Sequence, residues 1–148
     1  MKKLKKILIA IVILLALLVA FVFYSINSAK NLTEYDLGSD KIPSINAIIG
    51  AERKVTKVGS GVSTESGNYK EYTYESSSTA KDLLAYATHL FSNGWLATKD
   101  PDLNTEKGEL QLAAESGDKG KILVMTIAFE PDKYTIHIRK FDGTLTRR

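Results

Sequence analysis

Hydrophobic residues are spread very unevenly along this chain. After a basic start (MKKLKK), Ile7–Tyr24 runs for 18 residues without a charge, a proline or a glycine, and no later stretch is as apolar. As a helix at ~1.5 Å per residue, that run spans about 27 Å, close to the ~30 Å hydrocarbon core of a bilayer. Beyond it the pattern becomes that of a water-soluble domain. Asn31–Lys41 is polar without periodicity and reads as a spacer. Ile42, Ile45, Ile48 and Ile49 recur at helical spacing, with Pro43 near the start and Gly50 just past the end, which predicts one or two helical turns that cap the core. RKVTKVGSGV alternates loosely and NYKEYTYES more cleanly, so two strands are expected, joined as a hairpin through STESG.

The clearest element is SSSTAKDLLAYATHLFSNGW. Ala80, Leu83, Leu84, Ala87, Leu90 and Phe91 form an apolar stripe, Thr79 and Asp82 resemble a capping box, and Asn93-Gly94 supplies the stop. Four strands follow: WLATK, GELQLAAES, KILVMTIAFE and KYTIHIRKF. Leu110, Leu112 and Ala114 share a face, and KILVMTIAFE is apolar on both faces, as a central strand should be. Short loops make successive strands antiparallel. The class expected is α+β, an N-terminal transmembrane helix followed by a hairpin, a helix and a four-strand meander, with one main helix on one face. The division expected is 1–30 anchor, 31–41 spacer and 42–148 globular domain.

The lysine-led span, the IPSINAIIGAERKV segment, YTYES before a helix, and NGW followed by GELQL and GKILVMTI resemble a group of small membrane-anchored proteins in Gram-positive bacteria. That resemblance covers most of residues 42–145. It implies location and fold, with a domain outside the cytoplasm, and carries no catalytic residue across.

Composition then narrows the readings. The 148 residues leave room for one domain of roughly 100–115 residues, large enough for a core without staples. The chain contains no cysteine, which excludes disulfides, thiolate metal sites, a cysteine nucleophile and a lipidated cysteine. Net charge is +3, but setting aside Lys2, Lys3, Lys5 and Lys6 leaves 16 basic against 17 acidic residues. The folded part is therefore near neutral with mixed signs, and a nucleic-acid partner is not expected.

The N-terminal run is longer than the ~7–15 apolar residues of a secretory signal, and the sites after it are poor. Cleavage after Ala29 would put Asn27 at the −3 position, and cleavage after Ser28 would put Ile26 there. An uncleaved span through residues 7–24 is the preferred reading, with the lysines in the cytoplasm and the domain outside; a secreted form after cleavage is the alternative. A type IV prepilin would need a small residue before the run and a glutamate inside it, and neither is present. Asn31-Leu32-Thr33 matches a glycosylation sequon by pattern, read as chance in a bacterial chain.

Candidate chemistry is sparse. His89 falls away from the helix stripe and reads as solvated. His137 in TIHIR shares a face with Thr135 and Arg139, opposite Tyr134, Ile136 and Ile138. Asp100-Pro101-Asp102 with Glu106 and Glu109 fails as a calcium loop, because the twelfth position from Asp100 is Gln111. No Gly-x-Ser-x-Gly elbow, P-loop or HExxH is present; GSG at Gly59–Gly61 reads as a bend, and Ser76–Ser78 as a helix entry. Tyr72 and Tyr74 share one face and Tyr69 the other, with cross-strand packing preferred over a binding role.

The sequence thus assigns no catalytic, cofactor-binding or metal residues and implies no cofactor. It points to a non-enzymatic binding or accessory module of the cell envelope, with Glu71, Thr73, Thr135, His137 and Arg139 as the candidate partner-binding face. Two other readings are a small envelope hydrolase using His137 and a structural assembly partner of another membrane protein acting partly through the span.

Overall fold

A computed structural model describes residues 1–30, 32–63, 67–99 and 105–146, and these described residues form three helices and eight strands. Helix α1 (Lys2–Lys30) contains the apolar run, has a mean hydropathy of 3.3 over its best window and is unburied there. It is long and apolar enough to cross a membrane, by length and composition.

Strands β1 (Glu34–Leu37) and β2 (Asp40–Pro43) pair as an antiparallel hairpin, and α2 (Ile45–Ile49) follows directly. Residues 31–41, expected to be a spacer, are thus for the most part a hairpin of the domain. Tyr35 and Leu37 project from it into the core. Two apolar side chains in a strand of four are too few to register as periodicity, and the partners that bury them lie far along the chain. The α2 caps match their residues: Ser44 Oγ accepts the Ala47 N–H (3.2 Å), and Gly50 takes the left-handed conformation, φ 64°.

Six strands make the main sheet: β3 (Lys54–Ser63), β4 (Gly67–Glu75), β5 (Leu96–Lys99), β6 (Gly108–Glu115), β7 (Lys121–Glu130) and β8 (Lys133–Asp142). Their order is β3-β4-β8-β7-β6-β5, all antiparallel. The expected hairpin and meander both form, and the β4–β8 pairing fuses them. The doubly apolar β7 is interior, as its pattern implied. The STESG turn lies largely outside the described residues, as do Asp100-Pro101-Asp102 and Asn31.

The loose alternation of β3 has a cause. Val55 pairs with Tyr74 and Val58 with Tyr72, although the valines are three apart, because a bulge lies between Val55 and Lys57. The extra residue returns Val58 to the face that Val55 occupies.

Helix α3 (Thr79–Ser92) crosses one face of the sheet. Its end is a Schellman motif: Trp95 N–H bonds Leu90 O, Gly94 N–H bonds Phe91 O, and Gly94 has φ 89°. Its start and its buried face both differ from expectation. The N-cap is Ser78, the Thr79–Asp82 box does not form, and the buried residues are Thr79, Asp82, Leu83, Tyr86, Ala87 and Leu90. Leu84 is 60% and Phe91 42% exposed, and Ala80 is exposed too. The helix is rolled toward Asp82 and Tyr86 because both polar groups find partners there. Tyr86 donates to Pro43 O at 2.8 Å, and Asp82 receives Arg53, Ser76 and Tyr134. A pattern read from hydropathy alone weighs two leucine-sized side chains above a carboxylate that is fully hydrogen-bonded.

Five of the seven tyrosines (35, 72, 74, 86 and 134) are buried in this layer between sheet and helices. Tyr35 stacks on Tyr72 at 4.8 Å, and its hydroxyl lies 2.7 Å from that of Tyr74. Burial raises the pKa of each, so these phenols stay neutral. Packing accounts for these tyrosines, including Tyr72 and Tyr74.

Candidate functional site

The hairpin β1–β2, α2 and α3 all pack on one side of the large sheet, because the buried alternates of β4 and β8 point there. Tyr72, Tyr74, Tyr134, Ile136 and Ile138 are buried on that side. The opposite alternates form an open face that stays partly exposed across β4 and β8, with α1 set against its β3 edge. The candidate residues Glu71, Thr73, Thr135, His137 and Arg139 all lie on it, each half-buried among its neighbours.

The β4–β8 register brings four of them together in two pairs. Glu71 stands opposite His137, and Thr73 opposite Thr135. His137 Nδ1 lies 2.8 Å from Glu71 Oε2, and the two threonine hydroxyls are 2.9 Å apart. A carboxylate only accepts, so His137 donates through Nδ1–H, which leaves Nε2 as the outward nitrogen. The hydrogen bond from His137 is the main reason the Glu71 carboxyl titrates below its ordinary range; partial burial opposes it and Lys57, 3.4 Å from Oε1, adds to it.

Tyr69 completes the cluster. Its ring stacks on His137 at 5.2 Å and 13°. Tyr69 stands opposite Gly61, where a Cβ would lie 3.0 Å from Tyr69 Cε1, so the ring packs over β3 closely enough that a side chain at residue 61 would crowd it. Arg139 stands opposite Tyr69; its guanidinium is 5.9 Å from the Phe141 ring, and its buried Nε has no hydrogen-bond partner among the described residues. Farther across, Val124 and Ala113 continue the same row and are buried beneath their neighbours. Tyr69 was legible as a member of this face by its parity with Glu71. Lys57 was not, since only the β3 bulge brings it opposite Thr73.

Substituting Gly61 with alanine is expected to push the Tyr69 ring off β3 and weaken its stack on His137. Loss of ring-to-ring nuclear Overhauser contacts, with the unfolding midpoint unchanged, would show it. Unaltered ring contacts would contradict the role given to Gly61.

Five clefts are lined by residues other than His137. A cleft of about 410 Å³ lies instead at the start of α3, against Leu83, Phe129 and Pro131, and His89 borders another of about 300 Å³ beside Asn93 and Trp95. Among the described residues no group of three or more acidic or histidine side chains could hold a metal ion. The face offers stacked rings, an oriented imidazole and a guanidinium, groups common at protein interfaces.

No protein-family model matches the chain, and no curated protein or solved structure was found to resemble it.

Proposed function

We propose that the chain is a single-span anchored module whose domain stands outside the cytoplasm and binds an envelope partner through the open sheet face. The observation that supports this is one-sided packing. Both remaining helices and the extra hairpin are spent on one side of the sheet, leaving Tyr69, Glu71, His137 and Arg139 together on the other. The hydrolase reading has the Glu71–His137 pair in its favour, but the histidine lies outside the clefts that would enclose a substrate. The basic N-terminal flank supports the orientation.

A photo-crosslinking residue at Thr135 is expected to yield a discrete light-dependent adduct in intact cells, absent when the same residue replaces the exposed Ala85 on α3. Identical patterns from both positions, or none from Thr135, would count against the open face. Orientation is tested separately by a C-terminal alkaline phosphatase fusion, expected to be active; an inactive enzyme on a folded, cytoplasmic domain would reverse it.

A further inference from the structure

The contact between α1 and the domain is specific. Among the described residues α1 packs chiefly against β3, an edge strand of the sheet. A cleft of about 240 Å³ separates Phe21, Val22 and Ile26 of the helix from Thr56, Lys57 and Val58 of the strand. Ile26 and Val58 are both partly buried against the core. Phe21 and Val22 fall inside the apolar run, two to three residues before its end at Tyr24. At ~1.5 Å per residue they sit about 3–5 Å below the upper limit of the hydrocarbon. Ser25 and Ile26, which line the same cleft, lie one and two residues past that end, so the strand segment set beside the four straddles the level where headgroups begin.

We infer that the β3 edge is the membrane-facing side of the domain, with Lys57 placed among the lipid phosphates. This rests on reading Ile7–Tyr24 as a span. Lys57 is well suited: its side chain is 70% exposed, its ion pair with Glu71 (3.4 Å) is a surface one that a lipid phosphate can replace, and its long apolar stem can follow the helix while the ammonium turns to the phosphate layer. The opposite edge, β5, lies five strand spacings away, about 24 Å at ~4.8 Å each, and is held clear of the surface. A membrane-facing β3 has a further consequence. The unpaired backbone groups of the longest edge strand are turned toward lipid headgroups and away from strands of other chains. The open face then stands sideways, accessible to a partner in the same membrane.

Because the chain has no cysteine, single-cysteine fluorescent labelling tests this directly. The full chain, labelled at Thr56→Cys or at Lys57→Cys, is reconstituted in phosphatidylcholine–phosphatidylglycerol vesicles containing a headgroup-nitroxide lipid. Ala97→Cys on β5 serves as the distant position. Flotation with the vesicles is measured first, and the Trp95 unfolding midpoint checks that each variant is folded. Strong quenching at 56 and 57 and several-fold weaker quenching at 97 is the expected result. Equal quenching at both edges, or stronger quenching at 97, in a chain that floats would overturn the inference and leave the anchor intact. A chain that does not float overturns the span and the inference together.

Discussion

Replacing Arg53 with methionine is expected to destabilise the domain by about 3–5 kcal/mol, the cost of leaving a buried carboxylate without its counter-charge. Asp82 is 2% exposed, on the first turn of α3. Arg53 grips it with two bonds, Nε–Oδ2 at 2.8 Å and Nη2–Oδ1 at 2.9 Å. Ser76 Oγ adds a third at 2.6 Å and the Tyr134 hydroxyl a fourth at 3.2 Å. Four elements are thereby tied at one point: the entry to β3, the end of β4, α3 and β8. Burial is the largest single influence on the Asp82 carboxyl and pushes its pKa up. The bonds and charge of Arg53, with Ser76 and Tyr134, together outweigh it and hold the group below its ordinary 3.8. A carboxyl depressed in the folded state contributes stability above its unfolded pKa and loses it as the pH falls through the folded one. The ion pair should therefore act fully at neutral pH and fade below 3.8.

Denaturant unfolding of the full chain in mild detergent, followed by Trp95, the single tryptophan and a buried one, measures the effect. A loss under about 1 kcal/mol would place the pair with exposed salt bridges and sink this account. The double variant Arg53→Met with Asp82→Leu should recover much of the loss, since it removes the orphaned charge along with its partner.

The second large effect is expected at Lys140, a lysine only 8% exposed near the end of β8. Its ammonium bonds Asp40 Oδ2 (2.7 Å), Asp118 Oδ2 (2.9 Å), Leu37 O (2.7 Å) and Ser39 Oγ (3.2 Å). Asp40 also accepts from Ser116 Oγ and from Gly117 N–H (2.7 Å). The turn of β1–β2 is thereby clamped to the turn between β6 and β7. Lys140→Met should cost about 3 kcal/mol, the low end of the range for a broken buried pair, because Asp40 keeps two donors and Asp118 is half exposed. Hydrogen exchange should localise the loss. Amides of Tyr35 and Leu37 would exchange faster than those of β7, whereas uniform acceleration would argue against a local clamp.

The pH dependence of this clamp is two-sided. Burial pushes the Asp40 carboxyl up, but the Gly117 N–H, Lys140 and Ser116 together hold it below 3.8, so its contribution fades in acid beneath that value. Burial likewise pulls Lys140 down, and its two aspartates more than reverse this, raising it above 10.5. A raised lysine contributes fully below its unfolded pKa and loses that contribution as the pH climbs through the folded one. The difference in stability between wild type and Lys140→Met is expected to be flat across neutral pH and to narrow at both extremes.

These two networks mark where sequence reading stops. Asp82 and Lys140 are, by composition, ordinary members of a charged surface. Asp82 looked like a cap because Thr79 stands three residues before it, yet its partner Arg53 is 29 positions away. Lys140 reads as one more polar residue at the end of KYTIHIRKF, while its carbonyl acceptor, Leu37, is 103 positions distant. The 31–41 segment followed the same logic. Its Tyr35 becomes a core residue only because Tyr72 and Tyr74 are presented to it by a strand folded much later in the chain.

The open face was more legible. Parity along TIHIR and NYKEYTYE is a local property, and one helix cannot cover two faces, so Glu71, Thr73, Thr135, His137 and Arg139 could be assigned to one side from sequence. Only the β4–β8 register decided that Glu71 meets His137 and that Tyr69 stacks beside them.

The sequence by itself determined the apolar helix, the six strands of the main sheet and their succession, the single long amphipathic helix and the neutrality of the folded part. Those follow from periodicity and chain breakers within a dozen residues. Tertiary structure decided the fusion of hairpin and meander through β4 and β8, the roll of α3, the membership of β1–β2 and the partners of every buried charge. A charge can be buried only where its counter-charge arrives, and the chain must fold before those distant residues meet.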